Sequence, residues 1–238
     1  MAKSFRSNIR NYNNAFAFSS LGVHIDSSVY GPFGVYTFRI HGELVHRIGS
    51  LLPISDDQQP RFAQIYVYDS DVRHQAEIRM SYHHGLLDLS TVIQLQHMLR
   101  VHNPYIDVFM TAKERLAINE NISLHLKTVD IRQLDHRRYN RPTASELAII
   151  MPGTGEEQVD RRDIVLQTRS RQLKRISELH SAYCALRYPL LFPNGQQGWH
   201  PNLLSNINMY NYDLLSSIFI LFLLISFKVR RLHFTIAF

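Results

Sequence analysis

The 238-residue sequence holds a single cysteine, Cys184. One thiol excludes an internal disulfide framework and any zinc site built on several cysteines, and it points to a reducing compartment. Its setting, Ala182-Tyr-Cys-Ala-Leu-Arg187, is apolar and helical, which favours a buried structural thiol over a nucleophile. A phosphate-binding loop is missing as well. Such a loop needs glycines for close backbone approach and a lysine for the terminal phosphates. Gly153-Thr-Gly155-Glu-Glu has neither the spacing nor the lysine, and its glutamates repel phosphate. No Gly-x-Ser-x-Gly turn presents a serine nucleophile. A metal-dependent DNA nickase needs two histidines flanking one hydrophobic residue; the nearest pairs, adjacent His83 and His84, and His41 with His46, lack that geometry. They read as turn or surface histidines. Asp56-Asp57 and Glu156-Glu157 lie in polar stretches and read as solvated charge. The expectation is therefore a chain without catalytic residue, metal or cofactor.

Long apolar runs are scarce too. Met1-Ala-Lys-Ser-Phe-Arg6 offers no signal-peptide core. Ordered-looking sequence starts there at once, which suggests a chain beginning inside a longer protein. The longest apolar run, Leu214 to Phe227, has fourteen residues, short of the roughly twenty that a bilayer helix needs. No acidic residue follows Asp213, and Lys228-Val-Arg-Arg231 closes the run. Three readings stay open for it: a truncated or mis-joined reading frame, a membrane tail anchor, and a buried helix. Residues 1–202 and 203–238 are accordingly expected to be distinct regions.

What is present is a globular composition, 45% hydrophobic and 19% charged, sufficient for one sizeable core. The expected fold class is α+β: an antiparallel sheet packed by helices, ending in a C-terminal hydrophobic helix. Residues 1–70 read as β-rich, with Val35–Ile40 as a strand, a hairpin turn at His41-Gly-Glu, a return strand over Leu44–Ile48, and another strand over Phe62–Tyr68. Residues 88–118 read as two helices. Asp88 or Ser90 caps the first, Asn103-Pro104 separates them, and Tyr105, Val108, Phe109, Ala112 and Leu116 form the inward face of the second. Ile122–Val129 alternates as a strand, and Asp163–Leu166 suggests another. Thr143-Ala-Ser-Glu146 has the form of a capping box ahead of Leu147–Ile150. Arg169–Tyr183 is expected to be an amphipathic helix with Leu173, Ile176, Leu179 and Tyr183 inward.

The net charge of +6 and pI near 9.5 suit a nucleic-acid partner, though they are also common on ordinary soluble proteins. Between Arg132 and Arg175 there are ten Lys or Arg against six Asp or Glu. Arg137, Arg138 and Arg141, interleaved with Tyr139, are suited to clamping phosphates while the ring stacks on a base. Arg169, Arg171, Lys174 and Arg175 form a second cluster. The plainer reading of both is a solvated face, with salt bridges to Glu178 and Asp163.

An ordered series of phrases runs along the chain: Asn8–Ala15 with Ser20–Gly22, Tyr36–Gly42, His46–Pro53, Gln64–Asp69, Asn103–Tyr105, Asp135–Thr143, and Tyr188-Pro-Leu-Leu-Phe-Pro-Asn-Gly195 followed by Gly198-Trp199-His200. These phrases resemble blocks that precede the nuclease of Helitron-type rolling-circle transposases. The series covers roughly residues 5–202. In that family these blocks lead into a tyrosine-rich segment, a metal-dependent nickase and a distant helicase. Here the likeness fades after Asn202; Tyr210 and Tyr212 echo the tyrosine-rich segment only weakly. None of the shared blocks is catalytic, so the resemblance transfers no nuclease or ATPase residue. It implies a nuclear, non-catalytic region that contacts DNA, single-stranded or at a transposon end, or supports a nickase domain. Two other functions compete with it: a protein-interaction scaffold, and a membrane-attached protein held by residues 214–227.

Overall fold

Local capping decides where the helices begin. The Asp88 carboxylate accepts from the Thr91 backbone N–H at 2.8 Å and starts helix α5, Leu89–His102. Asn103 ends that helix and caps the next: its side chain accepts from Tyr105 N–H at 3.1 Å, and Pro104 occupies the first turn of α6, Pro104–Ile118. Val92, Gln96 and Leu99 of α5 and Tyr105, Val108, Phe109 and Ala112 of α6 are buried, as the helical spacing requires. Asp71 caps α4, Val72–Ser81, through the His74 N–H.

The fold is α+β. A computed structural model describes residues 2–25, 37–38, 40–127, 147–153, 164–198 and 236–237. Two compact units emerge, one made of residues 1–21 and 46–202, the other of 22–45 and 203–238. The first contains α1 (Ala2–Ser7), α2 (Ile9–Phe16), α3 (Gln64–Tyr68), α4 to α6, and a short α7 (Tyr183–Arg187). It also holds a three-stranded antiparallel sheet in which β4 (Ile122–Leu126) lies between β5 (Ala148–Pro152) and β6 (Ile164–Gln167). All five β4 residues are buried, the signature of a central strand covered on both faces. A second sheet has the order β1 (Ser20–Ile25), β3 (Ile40–Ile48), β7 (Lys174–Ile176). In the other unit, β2 (Thr37–Phe38) pairs antiparallel with β8 (Ile236–Ala237).

Several sequence expectations need correction. Phe62–Tyr68 is not a strand; its latter part forms α3. The Gln64 amide donates to the Leu52 carbonyl at 3.1 Å and its oxygen accepts from Arg61 N–H at 3.1 Å, so a local turn wins over alternation. Residues 1–70 are less β-rich than their composition suggests, because Ala2–Ser7 and Ile9–Phe16 form α1 and α2. The asparagines of α2 do not compete with its backbone because they bond elsewhere: Asn13 donates to the Arg187 carbonyl at 3.1 Å. His41-Gly-Glu is no hairpin turn, since β3 runs through it, with Gly42 in extended backbone. Of Leu147–Ile150, Ala148 to Ile150 belong to strand β5, where pairing with β4 over five residue positions captures the β-branched pair Ile149-Ile150. Arg169–Tyr183 is not a helix either. Its centre pairs with β3, and of the four residues expected inward only Ile176 is buried, while Leu173 is 59% and Leu179 46% exposed. The strand expected over Val35–Ile40 is described only at Thr37–Phe38 and Ile40. Thr143–Glu146, Glu156-Glu157 and the Leu214–Phe227 run, with the hydrophobic helix expected there, lie outside the described residues.

Arg79 of α4 lies at the middle of the first unit's core with 1% of its surface exposed. Its Nη1 donates to the Ala15 carbonyl at 2.7 Å and its Nε to Gln96 Oε1 at 3.4 Å. The guanidinium also sits 4.4 Å from the Tyr66 ring centroid and 5.0 Å from that of Phe16. Phe18 stacks on Tyr66 at 5.2 Å and on Phe109 at 5.5 Å, continuing the aromatic layer. Replacing Arg79 with Ala leaves the Ala15 carbonyl and Gln96 without this donor and opens a cavity. Chemical denaturation should show a loss of about 3 kcal/mol, and Arg79→Met, which refills the volume, should recover part of it. Gly195 makes a second check. Its φ is +62° and an added Cβ would lie 2.9 Å from Pro104 Cδ, so Gly195→Ala should cost about 1–3 kcal/mol in the same assay.

Candidate nucleic-acid interface

Three exposed arginines of the first unit, Arg47, Arg171 and Arg175, lie on or beside the β3–β7 pair, while others, Arg6, Arg10, Arg73, Arg100 and Arg115 among them, lie on its helices. Antiparallel register sets His46 against Ile176, Arg47 against Arg175, and Ile48 against Lys174. Because successive strand side chains point to opposite faces, His46 and Ile48 turn inward while Arg47 and Arg175 turn to solvent together. Directly opposed residues have Cβ atoms about 5 Å apart, where like charges repel. Arg175 relieves part of this through Glu178, 3.8 Å away. Arg47 forms no side-chain hydrogen bond or ion pair with another described residue. Arg171, in the turn before β7, is exposed and equally without one. Lys174 is half-buried beside Gly49, Ser50 and Gln167.

The residues expected to bind are thus divided. Arg175 on β7 and Arg171 just before it are exposed, whereas a helix was expected; Lys174, opposed to Ile48, lies on the other face and is half-buried. Arg169 is committed elsewhere: its guanidinium donates to the Pro53 carbonyl at 2.9 Å and to Asp56 at 2.5 Å, fastening the 53–56 loop. The salt bridge expected at Glu178 is present; Asp163 lies outside the described residues, as do Arg137, Arg138, Tyr139 and Arg141. Sequence reading missed Arg47. Period-2 alternation from buried His46 and Ile48 marks it as outward, but its partner across the ribbon is visible only in the register.

His46 is not a surface histidine. It is 1% exposed, its ring lies parallel to Tyr183 at 3.9 Å between centroids, and Tyr188 meets it edge-on at 5.7 Å. Burial, and then the Arg187 guanidinium, hold its pKa down at about 3, while the Tyr183 backbone pulls weakly upward. Burial first, then Tyr188, Cys184 and Glu178, raise the Tyr183 phenol, against the opposing pull of Arg175. His83 and His84 occupy a turn, as expected. Asp56 and Asp57 are exposed. An unforeseen pair joins His74 Nδ1 to Asp69, and this hydrogen bond is the main cause raising the His74 pKa.

Cys184 is buried in α7, as its apolar setting implies. A Cβ at Gly198 would come within 2.9 Å of its sulfur, so the glycine backbone lies directly over the thiol. Among the described residues, no group of three or more His, Cys, Asp or Glu is placed to hold a metal, and no helix is long and apolar enough to cross a membrane.

The depressed His46 pKa fixes a pH dependence. The unfolded chain takes up a proton as pH falls through 6.5, while the folded chain resists until about 3. The stabilisation from neutral His46 is therefore complete above 6.5 and is lost progressively between 6.5 and 3. Denaturation midpoints measured across this interval should fall with acidity, and His46→Phe should flatten the decline. No protein-family model, no curated protein and no solved structure matches this chain.

Proposed function

We propose that the chain is a non-catalytic, DNA-contacting region of a Helitron-like transposase, and that it grips the phosphate backbone through the β3–β7 ribbon. The observation that carries this reading is the exposed Arg47–Arg175 cross-strand pair, with Arg171 beside it. Two guanidiniums held together at a protein surface raise the local positive potential and gain from a bound anion. A polyanionic backbone supplies that anion repeatedly, with released counterions adding to affinity.

The sequence blocks behind the family resemblance also fit a supporting role. Asn13 of the first block bonds the Arg187 carbonyl and accepts from Leu190 N–H; Asn103 donates to the Phe192 carbonyl; Gly195 packs against Pro104. These contacts are architectural, and they hold the frame that presents the basic ribbon. Under this reading the chain works in the nucleus and performs no covalent step.

A salt titration of DNA binding by the full chain tests the proposal. The log of affinity should fall linearly with the log of salt, and Arg47→Ala and Arg175→Ala should each lower the slope by about one. Arg169→Ala should leave the slope unchanged, because that side chain is already engaged with Asp56. Absence of binding at about 50 mM salt, or a slope indifferent to Arg47 and Arg175, would refute it.

A further inference from the structure

The first 25 residues hold three Lys or Arg and no Asp or Glu; the first acid of the chain is Asp26. All three cations, Lys3, Arg6 and Arg10, stand on α1 and α2. The helical path continues across the junction of the two, because the Asn8 N–H donates to the Ser4 carbonyl at 3.1 Å and the Tyr12 N–H to the Asn8 carbonyl at 3.0 Å. The cations then recur at i, i+3 and i+7, within one arc of the helix surface. The opposite arc carries Phe5, Tyr12 and Phe16. The rings of Phe5 and Tyr12 meet at 5.0 Å, and Tyr12 and Phe16 are 1% and 0% exposed. Packing of this apolar arc turns Lys3, Arg6 and Arg10 to solvent, and all three are exposed. A solvated helix face ordinarily mixes charges of both signs, as α4 does with its Arg73–Glu77 pair at 3.1 Å. None of the three cations forms an ion pair or side-chain hydrogen bond with another described residue. Asp88, which reaches this helix by donating its N–H to the Tyr12 hydroxyl, has its carboxylate taken by the Thr91 N–H and hydroxyl, each at 2.8 Å.

We infer that the Lys3–Arg6–Arg10 stripe is a second nucleic-acid surface, which takes backbone phosphates independently of the β3–β7 ribbon. The inference rests on the DNA-contacting reading above and extends it from one contact surface to two. An anionic membrane is the other polyanion that a basic helix face suits, but a helix lying in a bilayer surface inserts its apolar side. Here that side is buried in the protein's own core, so only charge is left to act. Phosphate contacts carry no sequence information, and the stripe therefore adds affinity without sequence preference.

The test uses the full chain and a fluorescently labelled DNA duplex, with affinity measured against salt. The triple variant Lys3→Gln, Arg6→Gln, Arg10→Gln should lower the salt slope by about three, with or without Arg47→Ala and Arg175→Ala. Exchanging the cations for one another, as Lys3→Arg, Arg6→Lys and Arg10→Lys, should keep it. Arg73→Gln removes an exposed arginine already engaged with Glu77 and should leave the slope unchanged. All these positions are exposed, and unchanged denaturation midpoints would establish that the variants fold. A slope that answers to Arg47 and Arg175 but not to the triple variant overturns the stripe and leaves the ribbon standing. The converse supports the stripe and removes the ribbon. An Arg73→Gln variant weakened as much as Arg6→Gln would assign the effect to net charge and overturn the inference. So would binding to phosphatidylserine vesicles that the triple variant loses while it keeps its grip on DNA. Absence of DNA binding at about 50 mM salt removes both surfaces.

Discussion

Two buried guanidiniums close on the C-terminal end of α2, and the first unit is organised around them. Arg79 donates to the Ala15 carbonyl; Arg187 donates to Asn14 Oδ1 at 2.6 Å and to the Ser19 carbonyl at 3.4 Å. Neither is paired to a carboxylate among the described residues. The negative partner is instead the carbonyl end of a helix, whose dipole favours cations there, aided by the faces of Phe16, Tyr66 and Tyr188. Carbonyls and π-faces compensate a buried charge only when their geometry is held tightly. This is why α2, α4, α5 and α7 must each sit where they do. Arg187 approaches from the last turn of α7, so the same contact fixes the ring pair of Tyr183 and Tyr188 that flanks it.

The sequence was informative wherever a local rule dominated. Asp88, Asn103 and Pro104 announce the α5–α6 pair by cap chemistry, and the Val92–Leu99 and Tyr105–Ala112 spacings identify their inward faces. β4 and β6 were also readable from short runs of β-branched and apolar residues. Failures cluster where partners are distant in the chain. Lys174–Ile176 has helical spacing around it, yet the deciding contact is with His46–Ile48, which no local pattern contains. Ile149-Ile150 follows a helix-start signature and is drawn into a sheet by β4. Of the expected basic residues, Arg171 and Arg175 are exposed at the β3–β7 pair and Lys174 is half-buried, Arg169 is engaged with Pro53 and Asp56, and Arg47 joins them by register. The buried arginines were invisible beforehand, because nothing in a linear reading distinguishes Arg79 from an exposed helical arginine.

The ribbon shows how one strand serves two purposes. Alternation sends His46 and Ile48 into the core and Arg47 outward, so three consecutive residues couple interior packing to surface charge. Directly opposed arginines repel, and Glu178 is one group that offsets this at Arg175. The inward face offsets it through burial of Ile48 and Ile176 and the His46–Tyr183 stack. An outward arginine pair on a firmly packed base suits the anionic partner proposed above.

The bond between Asn13 and Arg187 spans 174 positions of the chain. During synthesis α2 can already pack against α4, through Arg79 and the Ala15 carbonyl, but its bonds to Arg187 wait until α7 has left the ribosome. Closing so long a loop is entropically slow. The last turn of α2 therefore lacks its Arg187 contact until nearly the whole of the first unit has been made, so that cation is the late closure of a frame already begun by Arg79.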